Sequence, residues 1–302
     1  MRLVGTLPLL SALLVAAPPT FAQSSAPVPA LVREHVVTRS YETSRTSEES
    51  SGSSRGQDAL VERVVGSRDG GLELEYDLPD SATAPERARH WQFPVRVLQP
   101  SAGPSRLLNR GELEARIDPW LTAAGLTRAA CGRRVFTWTV FRIECDPQSA
   151  IKLLEAFDLR LPDLRDGAPY RAPEARRPGR VRRKAAGPDA ASFEVVLAID
   201  PDAVRRARAE ADVAVSEIVG PPVTLDAALR RRAKESISGT IRVTFDVDAA
   251  GNLRRRTTVT RRTIKGPDGR SESETLTETV ERQLTTGQGR LGDRLDVAAH
   301  PL

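Results

Sequence analysis

The sequence predicts an α+β fold that is predominantly antiparallel β, with long-stranded meander sheets and a few helices packed on one face. Three observations carry this. Leu72, Leu74, Tyr76 and Leu78 alternate with Glu73, Glu75 and Asp77, and Ile241, Val243, Phe245 and Val247 alternate with Arg242, Thr244 and Asp246. A two-residue period of this kind belongs to a strand with one face on the core and one in water. Turn sequences follow such runs closely, as in Arg68-Asp69-Gly70-Gly71 and Gly266-Pro267-Asp268-Gly269, so the strands return as hairpins. Finally, Asp146-Pro147 and Asp200-Pro201 each open a helical pattern, with Asp as the cap and Pro at the first helical position.

Taken in order, Arg2 and the apolar stretch Leu3 to Ala17 read as an export signal, with Thr20 and Ala22 as the small residues before cleavage near Ala22. The stretch is shorter than the roughly 20 apolar residues a membrane span requires. Residues 1–22 are the expected signal peptide and 23–30 a Ser/Pro/Ala tether. Removing the signal takes away one charge, Arg2, so the formal net charge of +5 becomes +4.

Residues 31–165 form a β-rich N-terminal region with two helices. Strands are expected at Val32 to Arg45, Ala59 to Val65 and Leu72 to Leu78, and a fourth carries Trp91, Phe93, Val95 and Val97. Pro94 suggests an edge position for this last strand. Asn109 with Glu112 opens a helix running to Ala124 before Gly125, with a break at Pro119. Asp146-Pro147 opens the second helix, whose buried stripe is Ile151, Leu154 and Phe157.

Between Asp158 and Ala190 stand five prolines, three glycines and a basic run. Residues 166–190 are read as a Pro/Arg-rich connection. Residues 191–284 then form an α+β C-terminal region. Phe193, Val195, Leu197 and Ile199 share a strand face. The helix after Asp200-Pro201 is expected to bury Val204, Ala207, Ala211, Ala214 and Ile218, and Thr224 caps a shorter one through Leu225, Ala228 and Leu229. A three-stranded meander closes the region. Pairing Val247 with Leu253 and Lys265 with Arg270 sets Val259 between Ile241 and Leu276. Residues 285–302 form a loose tail.

The cysteines are Cys131 and Cys145, and an exported chain favours a disulfide between them. An unbroken strand from Arg134 to Glu144 would hold them ~35 Å apart, whereas a disulfide needs Cα atoms within about 7 Å. The bond therefore requires the chain to reverse near Thr137-Trp138-Thr139.

Other constellations are read blandly. Asp246 to Gly251 resembles the start of a calcium loop, but Ala250 and Thr257 stand where ligands are needed, so no metal is assigned. The segment Gly239 to Leu253 resembles the central hairpin of TonB-type C-terminal domains, with a Thr/Glu-rich strand following it instead of a helix, and no function is carried over. Glu73, Glu75 and Asp77 form an acidic row of the type that glycoside hydrolysis employs. His35, His90 and His300 form no cluster that suggests a metal, and no Gly-rich phosphate loop is present.

The densest charge is Arg176, Arg177, Arg180, Arg182, Arg183 and Lys184, a candidate contact for a polyanion or an anionic envelope surface. No aromatic interleaves it, so nucleic acid is not the expected partner. Together these features lead to an exported, periplasmic or secreted binding or interaction protein that does not span the membrane. It needs no catalytic residue or cofactor, and an apolar-ligand carrier is one version. The alternative is a carboxylate-dependent envelope hydrolase.

Overall fold

In the computed structural model, residues 34–136, 140–187 and 190–284 are described. The expected signal, tether and tail lie outside them. The strands are β1 (Glu34–Ser47), β2 (Ser51–Arg68), β3 (Gly71–Asp77), β4 (Val95–Pro100), β5 (Arg106–Leu107), β6 (Arg134–Phe136), β7 (Val140–Arg142), β8 (Pro169–Tyr170), β9 (Gly179–Arg180), β10 (Arg182–Ala186), β11 (Ala190–Ala198), β12 (Ser236–Asp248), β13 (Leu253–Lys265) and β14 (Ser271–Leu284). The helices are α1 (Ala84–Arg89), α2 (Arg110–Ala123), α3 (Ser149–Glu155), α4 (Pro201–Ser216) and α5 (Leu225–Arg232).

Ten strands form one antiparallel sheet in the order β10-β11-β12-β13-β14-β1-β2-β3-β4-β5. The last strand of the C-terminal meander therefore pairs with the first strand of the N-terminal one, and Arg39 stands opposite Val280. One apolar cluster joins Val37, Leu60, Leu74 and Val97 to Val195, Ile241, Phe245 and Val280. Leu113 and Ile117 of α2, Leu154 of α3 and Val204 of α4 complete it. By strand parity these sheet residues lie on one face, the inner face. The outer face carries Thr240, Thr257, Thr275, Thr277 and Thr279 by the same alternation.

Several local expectations hold. Thr224 accepts from the Ala227 amide, and Asp200 accepts from the Asp202 amide. The Asp248 carboxylate accepts from the Ala250 and Asn252 amides, which makes the calcium-like segment a hairpin turn. Cys131 and Cys145 are bonded, with Cα atoms 5.6 Å apart. The reversal that this demands is present, since β6 and β7 pair antiparallel with Phe136 opposite Val140.

Other expectations are corrected. The fourth strand starts at Val95, after Pro94, and lies inside β5, so Trp91 and Phe93 sit in the preceding turn. Asn109 stands at the N-cap of α2, as expected, but its side chain makes no capping hydrogen bond. Its side chain is drawn to the β4 backbone, accepting from the Arg96 amide at 2.9 Å and donating to the Pro94 carbonyl at 3.2 Å. Pro119 leaves α2 undivided, because Leu113, Ile117 and Leu121 pin its inner side.

The segment after α3 holds the short strands β8, β9 and β10, and Ala168, Ala172, Ala175 and Val181 are buried in it. On α4 the inward face is rotated from the expected alanine stripe. Val204, Ala209 and Ser216 are buried while Ala207 and Ala211 are exposed. Arg208 and Asp212 turn inward because they have partners there: Arg208 reaches Glu235 and Glu272, and Asp212 pairs with Arg232.

Both meander registers are one residue off. A bulge between Asp246 and Val247 leaves Val247 opposite Leu253 but sets Ile241 opposite Thr260. Lys265 pairs with Ser271. Thr260 therefore lies between Ile241 and Leu276, and Val259 points outward between Arg242 and Thr277.

Candidate ligand cleft

In a flat sheet, four strand spacings would place β13 and β3 roughly 19 Å apart. The β2–β3 turn (Ser67, Arg68, Gly70, Gly71, Leu72) and the β12–β13 turn (Gly251, Asn252, Leu253) nevertheless line one open cleft of about 660 Å³. Leu159, Arg160 and Leu161, from the strand-free stretch after α3, form another wall, with Gln99 and Pro100 beside them. Gly71 allows the close approach of β3 to β4, since a Cβ there would stand 2.6 Å from the Gln99 carbonyl oxygen.

The lining is amphipathic. Leu72 and Leu161 are 45% and 54% exposed, unusual for leucines. Arg68, Arg160 and Arg282 supply positive charge around them, and no Asp or Glu is among the described lining residues. Arg160 is held by Asp158 at 2.6 Å and donates to the Gly103 carbonyl at 2.7 Å. A smaller cavity of about 40 Å³ shares Gln99 and Arg160 and leads toward Tyr76, Val97, Ile151 and Leu154.

Beneath the cleft lies a buried polar cluster. Arg282 donates to Glu62 Oε2 at 2.9 Å, and the Tyr76 hydroxyl donates to the same oxygen at 2.8 Å. His35 Nδ1 lies 3.8 Å from Glu62 Oε1. Burial pushes the Tyr76 hydroxyl well above its ordinary value, and the neighbouring Glu62 carboxylate adds to this. Tyr76 therefore stays a neutral donor. A carboxylate anchored by two donors fixes the floor.

The acidic row does not converge on a site either. Glu73, Glu75 and Asp77 lie on the outer face, near Arg68, Arg63 and Arg87 respectively. His90 sits by Phe93, and His300 lies outside the described residues. No group of three metal-ligating side chains occurs among the described residues.

All six residues of the basic run are exposed, but they divide between the sheet's faces. Arg183 stacks over the Phe193 ring at 5.9 Å on the inner side. Arg182 stands opposite Glu194, and Lys184 lies 3.6 Å from it, both on the outer side. Arg180 donates to the Gly167 carbonyl, and Arg176 and Arg177 line a groove beside Val196. The cleft itself had no local signature, because its walls come from segments that are far apart in the sequence.

The described part of the chain is thus an antiparallel sheet with helices, a disulfide and an amphipathic cleft at one end. No helix among the described residues is long and apolar enough to cross a membrane. No family model matches the sequence, and no curated protein matches it. Among solved structures, the chain is similar to lipovitellin, in a structure described as showing its lipid–protein interactions. The identity is 8%, 85% of this chain and 26% of lipovitellin are covered, and the TM-score is 0.37. The chain thus spans about a quarter of lipovitellin's length. It is also similar to a putative outer membrane lipoprotein-sorting protein domain from Vibrio parahaemolyticus, at 10% identity, with 84% and 87% covered and a TM-score of 0.17. Superpositions this loose carry no residue role across.

Proposed function

We propose that the protein is an exported, non-enzymatic carrier that holds an apolar or amphiphilic guest in the cleft between the β2–β3 and β12–β13 turns. The observation that supports this most is the lining: exposed leucines and a proline with arginines among them, and no Asp or Glu among the described lining residues. Small-molecule sites have this character, apolar walls with a few polar groups that orient the guest. The disulfide supports work in an oxidising compartment, periplasmic or extracellular, after cleavage near Ala22.

The test is direct. Protein purified from the envelope without denaturation is extracted with organic solvent, and the extract is examined by mass spectrometry. The carrier reading expects an acyl-chain compound in near-stoichiometric amount, depleted when Leu72 and Leu161 are replaced by Glu. An extract with no apolar compound above that of a control protein contradicts it.

A further inference from the structure

We propose that the sheet corner formed by β10, β11 and the Arg176–Arg177 segment docks the protein on a membrane surface rich in anionic phospholipid. The observation is a concentration of cations around a small apolar centre. Val196 is 49% exposed on β11. Its direct neighbour across the ladder is Arg242, and Arg176, Arg177 and Pro178 line the groove on its other side. One pleat along the same face, Glu194 takes contacts from both Lys184 and Arg242, with Arg182 opposite it. Five cations, Arg176, Arg177, Arg182, Lys184 and Arg242, therefore stand at this corner, against the acids Glu194, Asp246 and Glu174, and all the side chains of the basic run here are exposed.

A sheet face that ends in an edge strand offers a broad surface to such a leaflet. The corner carries no aromatic ring on which bases could stack, and Val196 and Pro178 suit the headgroup region. Basic side chains near an anionic leaflet each strengthen binding by about fivefold, and added salt weakens it. This docking does not rest on the cleft holding a guest, and the two fail separately.

The experiment is co-sedimentation of the full protein with vesicles of phosphatidylcholine, with and without phosphatidylglycerol, at low and then raised ionic strength. Wild type is expected to bind only the phosphatidylglycerol vesicles and to leave them as salt rises. A combined Arg176→Gln, Arg177→Gln, Arg182→Gln and Lys184→Gln variant is expected to bind about a hundredfold or more weaker, with an unchanged thermal midpoint. A control with the same charge change elsewhere, Arg55→Gln, Arg106→Gln, Arg230→Gln and Arg231→Gln, is expected to keep most of the binding. Equal loss in both variants, equal binding to uncharged vesicles, or binding to soluble polyphosphate without any to vesicles would overturn the proposal.

Discussion

Arg282 of β14 donates across β1 to Glu62 of β2, guanidinium to carboxylate at 2.9 Å, beneath the floor of the cleft. The side chains are 21% and 5% exposed, so neither is well served by water. Removing one partner of such a pair leaves a buried charge and costs about 3–5 kcal/mol, whereas replacing both by apolar residues costs far less. Arg282→Leu is therefore expected to lower stability by about 3 kcal/mol, and Glu62→Leu added to it should recover part of that loss. Urea unfolding of the two variants measures this.

Ion pairs within the sheet and between α4 and α5 give stability a pH dependence. Burial pushes the Glu274 carboxyl up, but hydrogen bonds from Arg45 and Arg262 outweigh it and hold the group below its ordinary 4.5. The hydrogen bond from Arg232 lowers Asp212 below its ordinary 3.8. A carboxyl depressed in the folded state contributes its full stabilisation above the unfolded value and loses it as pH falls through the folded one. The contribution of these two carboxylates should thus be flat above pH 4.5 and decline below it, with a shallower decline in a Glu274→Gln, Asp212→Asn variant. Urea midpoints across that range measure the difference, and identical slopes would remove these two carboxylates from the account.

The corrected register makes a sharp comparison within β13. Thr260 is buried between Ile241 and Leu276, while Val259 faces outward beside Arg242. Thr260→Asp should cost about 3 kcal/mol, since it buries a carboxylate in a largely apolar setting. Val259→Asp should be close to neutral, because Arg242 lies across the ladder from it. Thermal midpoints of the two variants read the register directly.

The Cys131–Cys145 bond closes a loop across a sequence separation of 14. Thiol titration of the unfolded, unreduced protein is expected to find no reactive cysteine. Reduction should cost up to ~3 kcal/mol, measured as a lower urea midpoint.

Strands and turns were legible because alternation and Gly/Pro/Asp chemistry are local. Leu74, Val243 and Asp200 sit where their neighbours in sequence say they should. The bulge at Asp246 was not legible, since one extra residue, Arg254, changes the register without changing the composition of the turn. The inward face of α4 was misread for another reason. An apolar count favours Ala207 and Ala211, whereas Arg208 and Asp212 are drawn inward by Glu235, Glu272 and Arg232, which arrive from elsewhere in the chain. The cleft was illegible for the same cause, because Leu72, Leu161 and Leu253 share no local pattern.

The claim that this cleft takes an apolar guest is tested most directly by titrating the full protein with the fluorescent probe N-phenyl-1-naphthylamine. The account predicts saturable binding at one site, weakened at least tenfold by Leu72→Glu with Leu161→Glu, both already solvent-exposed and so of small effect on the thermal midpoint. Absence of saturable binding, or equal binding by a folded double variant, would contradict it.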